Sequence, residues 1–141
     1  MRVIRRAACF TLMGFAILPV VVAAGSRPPS DVPVRIGGQA DLDACGSWAA
    51  VSGLKPDGDG FLAVRGGPGA AYAMRDRLRE GDAFFVCGES ADGKWLPIVY
   101  PHKGQDAGEC GVSSPIARET VYRGPCAWGW VRSDWVKVLA G

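Results

Sequence analysis

Short apolar runs separated by turn-forming residues dominate the chain from residue 41 onward. Gly, Pro and Asp clusters such as Pro56–Gly60 and Gly66–Gly69 stand between runs that are rich in Val, Phe, Trp and Ile. Such spacing is typical of short β-strands joined by tight turns. The pattern predicts an all-β domain with strands at Ser47–Ser52, Phe61–Arg65, Ala83–Gly88, Trp95–Tyr100, Trp128–Arg132 and Val136–Leu139.

Three segments fall outside this pattern. Residues 70–78 allow either a helix or a loop that ends in a turn. Residues 25–40 carry several Pro and Gly residues with almost nothing to bury, which predicts a flexible linker. Residues 101–125 hold few apolar side chains and have cysteines near their ends, so we expect an insertion loop that is held shut rather than a further sheet layer. The predicted domain accordingly spans residues 41–141.

The first 24 residues predict an export signal. Basic residues precede an apolar run over 7–22, and Val22-Ala23-Ala24 places small residues where a signal peptidase cuts. An uncleaved membrane anchor is the alternative, but the run is short and is interrupted by Pro19. We therefore expect a periplasmic or secreted protein with residues 1–24 removed and no membrane span left.

Removal of the signal changes the charge of the chain. The full chain has 16 basic and 14 acidic residues and a formal charge of +2. Three basic residues lie in the signal, so the mature part has 13 basic against 14 acidic residues and a charge of −1. A chain this close to neutral, with both signs interspersed, lacks the electrostatic footprint of a protein that binds nucleic acid or an anionic membrane.

Four cysteines remain once Cys9 is removed with the signal, namely Cys45, Cys87, Cys110 and Cys126. In an oxidising compartment they predict two disulfides, for which three connectivities are possible. We favour Cys110 with Cys126, which closes the insertion, and Cys45 with Cys87, which ties the N-terminal part to a strand. Zinc is the alternative use of four cysteines, but there is no C-x-x-C pair, so we expect neither a metal nor another cofactor.

Several motifs resemble those of bacterial SH3 domains, in the same order. The run Phe61-Leu-Ala-Val-Arg-Gly-Gly-Pro-Gly-Ala-Ala-Tyr72 resembles the opening pattern hydrophobic-x-V-R-x-G-P-G-x-x-Y. Leu78-Arg-Glu-Gly-Asp82 is similar to the L-x-x-G-[DT] turn of the family, and Gly93-Lys-Trp-Leu-Pro-Ile98 to its G-x-W-x-x-[VI] strand. Gly129-Trp-Val-Arg-Ser-Asp-Trp-Val136 is similar to its closing G-W-V segment. The resemblance implies a small SH3-like barrel with an N-terminal extension and an insertion at 101–125.

The resemblance also implies a function. Members of the family usually act as targeting or recognition modules, often for cell-wall peptides and beside a separate hydrolase domain. No hydrolase domain accompanies the motifs here, so we expect a non-catalytic, monomeric module that binds a peptide or a peptidoglycan fragment. The alternative is an adaptor or envelope accessory factor that contacts a partner protein through residues 101–125.

Aromatic residues are the candidate binding residues. The family pattern implies that Ile98 lies in the core, and strand alternation then turns Trp95 outward. Trp135 lies on the closing turn where eukaryotic SH3 domains carry a ligand-facing tyrosine. With Tyr72 and Trp130 they form a candidate aromatic patch. The alternative is that these side chains simply fill the core of a small barrel. Arg132 stands where those domains have a proline, which argues against polyproline recognition.

Two other kinds of chemistry are poorly supported. Asp57-Gly-Asp59-Gly resembles a fragment of a calcium loop, but Lys55 and Gly66 stand where ligands would be needed, so a plain turn is expected. A small hydrolase would need His102 beside a free cysteine, and the four mature cysteines are better assigned to bridges.

Overall fold

The computed structural model describes residues 25–141, so the predicted signal over residues 1–24 lies outside the described residues. This part of the chain consists mainly of β-strands, with short 3₁₀ segments at Ala107–Cys110 and Ser133–Trp135. The predicted all-β fold class is therefore confirmed. The strands are β1 Arg35–Ile36, β2 Gln39–Asp43, β3 Ser47–Val51, β4 Leu62–Arg65, β5 Met74–Leu78, β6 Ala83–Val86, β7 Trp95–Tyr100, β8 Pro115–Ile116, β9 Thr120–Val121, β10 Ala127–Arg132 and β11 Val136–Ala140.

Seven strands form one antiparallel sheet in the order β11-β3-β6-β7-β10-β4-β5. Its longest ladder pairs β7 with β10, from Tyr100 opposite Ala127 to Trp95 opposite Arg132. All six strands predicted from the sequence lie in this sheet, because each carries the alternating or continuous apolar residues that a buried strand needs.

Strand β5 corrects one expectation. Residues 70–78 were predicted to be a helix or a loop, but Met74–Leu78 forms a hairpin with β4, in which Leu62 lies opposite Leu78. The Ala, Met and Arg content of the segment favours a helix only weakly, and the backbone hydrogen bonds offered by β4 outweigh that preference.

One face of the sheet encloses a cluster that we call the inner core. Phe84 and Ile98 are its largest fully buried side chains. Strands β3 and β5, which lie toward opposite edges of the sheet, both contribute to it, so the sheet must curl around the cluster. The inner core consists of Ala49, Val51, Leu62, Val64, Leu78, Phe84, Ile98, Tyr100 and Val131.

The opposite face of β6, β7 and β10 packs against a second cluster, the outer core. Phe85, Val99 and Trp128 supply the contact from the sheet. Both disulfides belong to this cluster, and they join Cys45 to Cys87 and Cys110 to Cys126, which confirms the favoured pairing. The buried members of the outer core are Val34, Ile36, Ala44, Cys45, Val99, Cys110, Val112, Tyr122 and Cys126.

The N-terminal segment differs from the flexible linker that the sequence predicted for residues 25–40. Val34 is fully buried, Ile36 is 6% exposed, and β1 pairs with β9 through Arg35 and Val121. The segment has few apolar residues, but two of them, Val34 and Ile36, are buried in the outer core. From residue 32 onward it is a packed part of the fold.

The insertion at residues 101–125 also differs from expectation. It was predicted not to form a further sheet layer, yet its strands β8 and β9 pair with β2 and β1. Val112 and Tyr122 are its main buried side chains. The insertion and the N-terminal segment therefore form a second layer together, because each supplies the pairing partner that the other lacks.

Candidate ligand-binding groove

A groove of about 540 Å³ opens beside the start of β4. Its walls come from the loop at residues 54–61, from the 3₁₀ turn Ser133–Trp135 and from the first residue of β7. Clefts of roughly 300–1,000 Å³ are the usual size for a small-molecule or short-segment ligand. The groove is therefore the natural place to look for binding.

Trp95 and Trp135 both line this groove, together with Leu54 and Phe61. Trp95 is 7% exposed, so it forms part of the groove lining with most of its ring covered. Trp135 is half-buried and packs partly against the inner core. Of the four aromatic residues predicted from the sequence, the structure brings these two into one site.

Local hydrogen bonds fix Trp95 at the beginning of β7. The Ser90 hydroxyl accepts a hydrogen bond from the Trp95 backbone N–H at 3.0 Å, and it donates one to Asp92 at 2.7 Å. That bond from Ser90 is the main cause that lowers the pKa of the Asp92 carboxyl. The tight turn at residues 90–94 thus holds Trp95 at the groove. Ile98 is fully buried on the other face of β7, as predicted, but the prediction that Trp95 turns outward is wrong, because most of its ring is covered.

The loop wall of the groove is held by a residue that the sequence did not single out. The Glu80 carboxylate accepts hydrogen bonds from the backbone N–H groups of Gly53 and Leu54, each at 3.0 Å. The N–H of Gly58 then donates to the carbonyl of Lys55 at 3.0 Å, which forms a plain turn over residues 55–58. The apolar residues Leu54 and Phe61 flank this turn. A polar turn between two apolar residues is the sequence pattern that could have indicated this side of the groove.

Charged side chains border the groove. Arg132 pairs with Asp134, and its Cζ atom lies 5.7 Å from the centroid of the Trp95 ring. Arg65 is also engaged, because it donates to the carbonyl of Tyr72 at 2.9 Å. Within residues 25–141, Lys55 and Asp59 make no ion pair. The loop side of the groove thus presents one uncompensated cation and one uncompensated carboxylate.

Tyr72 lies away from the groove and supports the turn that follows β4. Its ring covers Gly67 and Gly69, and a Cβ atom on Gly67 would come within 2.4 Å of a ring carbon. Because a side chain at residue 67 would collide with this ring, the turn requires a glycine there. The structure gives Tyr72 a packing role in this turn.

Trp130 is likewise covered. It is 9% exposed, and its indole N–H donates to the carbonyl of Val32 at 2.8 Å. We call residues 31–36 the N-terminal strap, because they lie across this part of the sheet. The N–H of Val32 donates to the carbonyl of Gly66 at 2.7 Å, and Asp31 lies 3.6 Å from Arg75. Trp130 therefore anchors the strap.

The described part of the chain contains neither the Cys-His pair of the hydrolase alternative nor a cluster of metal ligands. Each of the four cysteines there is in a disulfide, so His102 has no free thiol beside it. In residues 25–141, no group of three or more His, Cys, Asp and Glu side chains is placed to hold a metal ion. The same residues include no helix with the length and hydropathy of a membrane span.

Comparison with known proteins adds no relative. No family model, curated protein or solved structure matches the chain.

Proposed function

We propose that the chain is an exported, non-catalytic binding module of bacterial SH3 type, which recognises a peptide or a peptidoglycan fragment in the groove. One observation carries the proposal: Trp95 and Trp135, which the motif resemblance singled out from distant parts of the sequence, line the same groove. The order of the motifs along the chain supports the SH3-type assignment, and the antiparallel sheet is compatible with it. The two disulfides support export, because such bridges persist in oxidising compartments.

The groove suits a flexible, zwitterionic ligand. Trp135 and Phe61 offer apolar surface against which a peptide side chain or a sugar ring can pack. Lys55 and Asp59 offer opposite charges at the loop wall, and stem peptides of peptidoglycan carry both carboxylates and amino groups. Polyproline ligands fit less well, because Arg132 stands where a polyproline reader has its proline.

Binding to purified sacculi tests the proposal. The oxidised protein should sediment with sacculi, and Trp135→Ala should weaken this binding at least tenfold, because a central aromatic residue commonly carries 2 kcal/mol or more of binding energy. Leu139→Ala is the matched control, since Leu139 is an apolar side chain that is 54% exposed and lies outside the groove. Equal binding by Trp135→Ala and the control would refute the site.

Competition experiments identify which part of the peptidoglycan the protein recognises. Soluble stem peptides should displace the protein from sacculi if the groove reads peptide, whereas peptide-free glycan strands should displace it if stacking on Trp135 dominates. Lys55→Gln should weaken binding only in the first case, because a neutral glycan offers no carboxylate to the Lys55 ammonium group.

A further inference from the structure

A second cavity, of about 690 Å³, shares no lining residue with the groove. Its walls come from Trp48 on β3, from residues 76–79 at the end of β5, and from residues 101–105 of the insertion. Three basic side chains, Arg77, Arg79 and Lys103, contribute to the lining. We call this site the basic cavity.

The carboxylates of the basic cavity already have partners. Asp76 accepts a hydrogen bond from the Tyr100 hydroxyl at 3.0 Å and one from the backbone N–H of Arg77 at 2.7 Å. Asp82 accepts the backbone N–H of Arg79 at 2.7 Å. The Tyr100 hydroxyl is protonated at neutral pH and donates to Asp76, and burial together with this carboxylate raises the pKa of Tyr100 well above its usual range.

The cations of the basic cavity do not pair directly with these carboxylates. Across the described residues, Arg77, Arg79 and Lys103 form no ion pair with a carboxylate. Arg77 rests over the Phe61 ring, with Cζ 4.9 Å from the ring centroid. Arg79 and Lys103 are exposed, and they reach the cavity from segments that are far apart in the chain. The lining thus carries three cations and two carboxylates, a net charge of +1, and among the described residues none of the three cations is paired with a carboxylate.

We propose that the basic cavity binds the oxyanion of a small ligand, either a carboxylate or a phosphate, through Arg79 and Lys103. A guanidinium group matches the two oxygens of such an anion, and an ammonium group adds a further charge-assisted hydrogen bond. Trp48 gives the remainder of the ligand an apolar wall, and it is held in place by Phe85, whose ring centroid is 4.6 Å away. Arg79, Lys103 and Trp48 line the basic cavity and not the groove, although Arg77 also contacts the groove residue Phe61.

An NMR titration with two probes tests the assignment. In isotope-labelled protein, inorganic phosphate and glucuronate should shift the signals of Arg79, Lys103 and the Trp48 indole, while neutral glucose should not. Tighter binding of glucuronate would identify a sugar acid whose ring packs on Trp48, and tighter binding of phosphate would identify a phosphate ligand. Shifts of similar size at the exposed residues Arg118 and Lys137 would overturn the proposal.

A pair of double variants separates a defined site from general attraction of anions. The double variant Arg79→Gln/Lys103→Gln should bind the tighter of the two probes about tenfold more weakly, because both charged donors are removed. Arg118→Gln with Lys137→Gln removes the same charge elsewhere and should leave the affinity within about twofold. Equal losses in the two double variants would refute the cavity. Trp135→Ala should bind the probe normally, so this test does not depend on the outcome at the groove.

Discussion

The inner and outer cores bury opposite faces of the same strands but are built differently. On β7, Ile98 and Tyr100 enter the inner core, whereas Val99 between them enters the outer core. The inner core is assembled from strands with apolar residues at alternate positions and contains no cysteine. The outer core joins two Pro- and Gly-containing segments through very short strands, and both disulfides belong to it.

This difference shows where covalent links are needed. A strand with apolar side chains at alternate positions buries apolar area, and the free energy of this burial offsets the entropic cost of ordering its backbone. The segments over the outer core bury few large side chains, so loop closure by disulfides compensates for their small apolar area. We therefore expect packing to stabilise the inner core and covalent closure to stabilise the outer core.

The largest effect is expected from a cavity in the inner core. Phe84→Ala should lower the free energy of unfolding by about 3–5 kcal/mol, because Phe84 is fully buried and its neighbours can only partly fill the space. Urea denaturation measures the change. Val138→Ala is the control, since Val138 is 58% exposed, and it should change stability by less than about 0.5 kcal/mol. A loss below about 1 kcal/mol for Phe84→Ala would contradict the role given to the inner core.

The next effect is the loss of a disulfide at the outer core. Replacing Cys110 and Cys126 by Ala should cost about 3 kcal/mol, because their bridge closes a loop with a sequence separation of 16. Hydrogen exchange should then speed up at Val112 and Tyr122 more than at Ile98. A uniform increase at all three amides would mean that the two cores open as one unit, contrary to the comparison.

The smallest effect concerns one tyrosine from each core. Burial is the main cause that raises the pKa of Tyr100 and of Tyr122, and the nearby Asp76 carboxylate raises that of Tyr100 further. An unfolded tyrosine ionises near pH ~10, so the free energy of unfolding should fall above that pH, by at most about 1.4 kcal/mol per pH unit for each group. Below pH ~10 this stabilisation is fully present.

Tyrosine variants assign the alkaline effect to a core. Tyr100→Phe should flatten the fall in stability above pH ~10 more than Tyr122→Phe does, because Asp76 adds to the effect of burial only at Tyr100. At Tyr122, the hydrogen bond from the Cys126 backbone N–H opposes burial by lowering the pKa. Urea denaturation at a series of pH values compares the variants, and equal slopes would show that the two environments do not differ as described.

The sequence predicts the sheet around the inner core well and the outer layer poorly. Trp95–Tyr100 is recognisable as a strand because its pattern is local. Strand β1 has two residues, and its partner β9 lies in a distant, mostly polar segment, so no local periodicity marks either of them. The favoured disulfides indicated that these segments are tied down but did not reveal that they pair with each other.

The candidate groove was predictable only in part. The motif resemblance located Trp95 and Trp135, but it also proposed Tyr72 and Trp130, which the structure uses for packing. An aromatic residue in a strand can face a groove or support a neighbouring segment, and only tertiary contacts distinguish the two. Glu80 was missed because a carboxylate that holds a distant loop leaves no pattern in the sequence.

The strap across Trp130 has a consequence for how the chain folds. Val32 and Trp130 are 98 residues apart in the sequence, and β1 pairs with β9, which lies at the similarly distant residues 120–121. Contacts between such distant residues slow folding, because the entropy of closing a long loop is lost before the contacts can form. The outer layer can therefore close only after residues 120–130 are available to pair with the N-terminal strap. Until then its cysteines are open to incorrect pairing, which makes disulfide exchange the expected slow step of maturation.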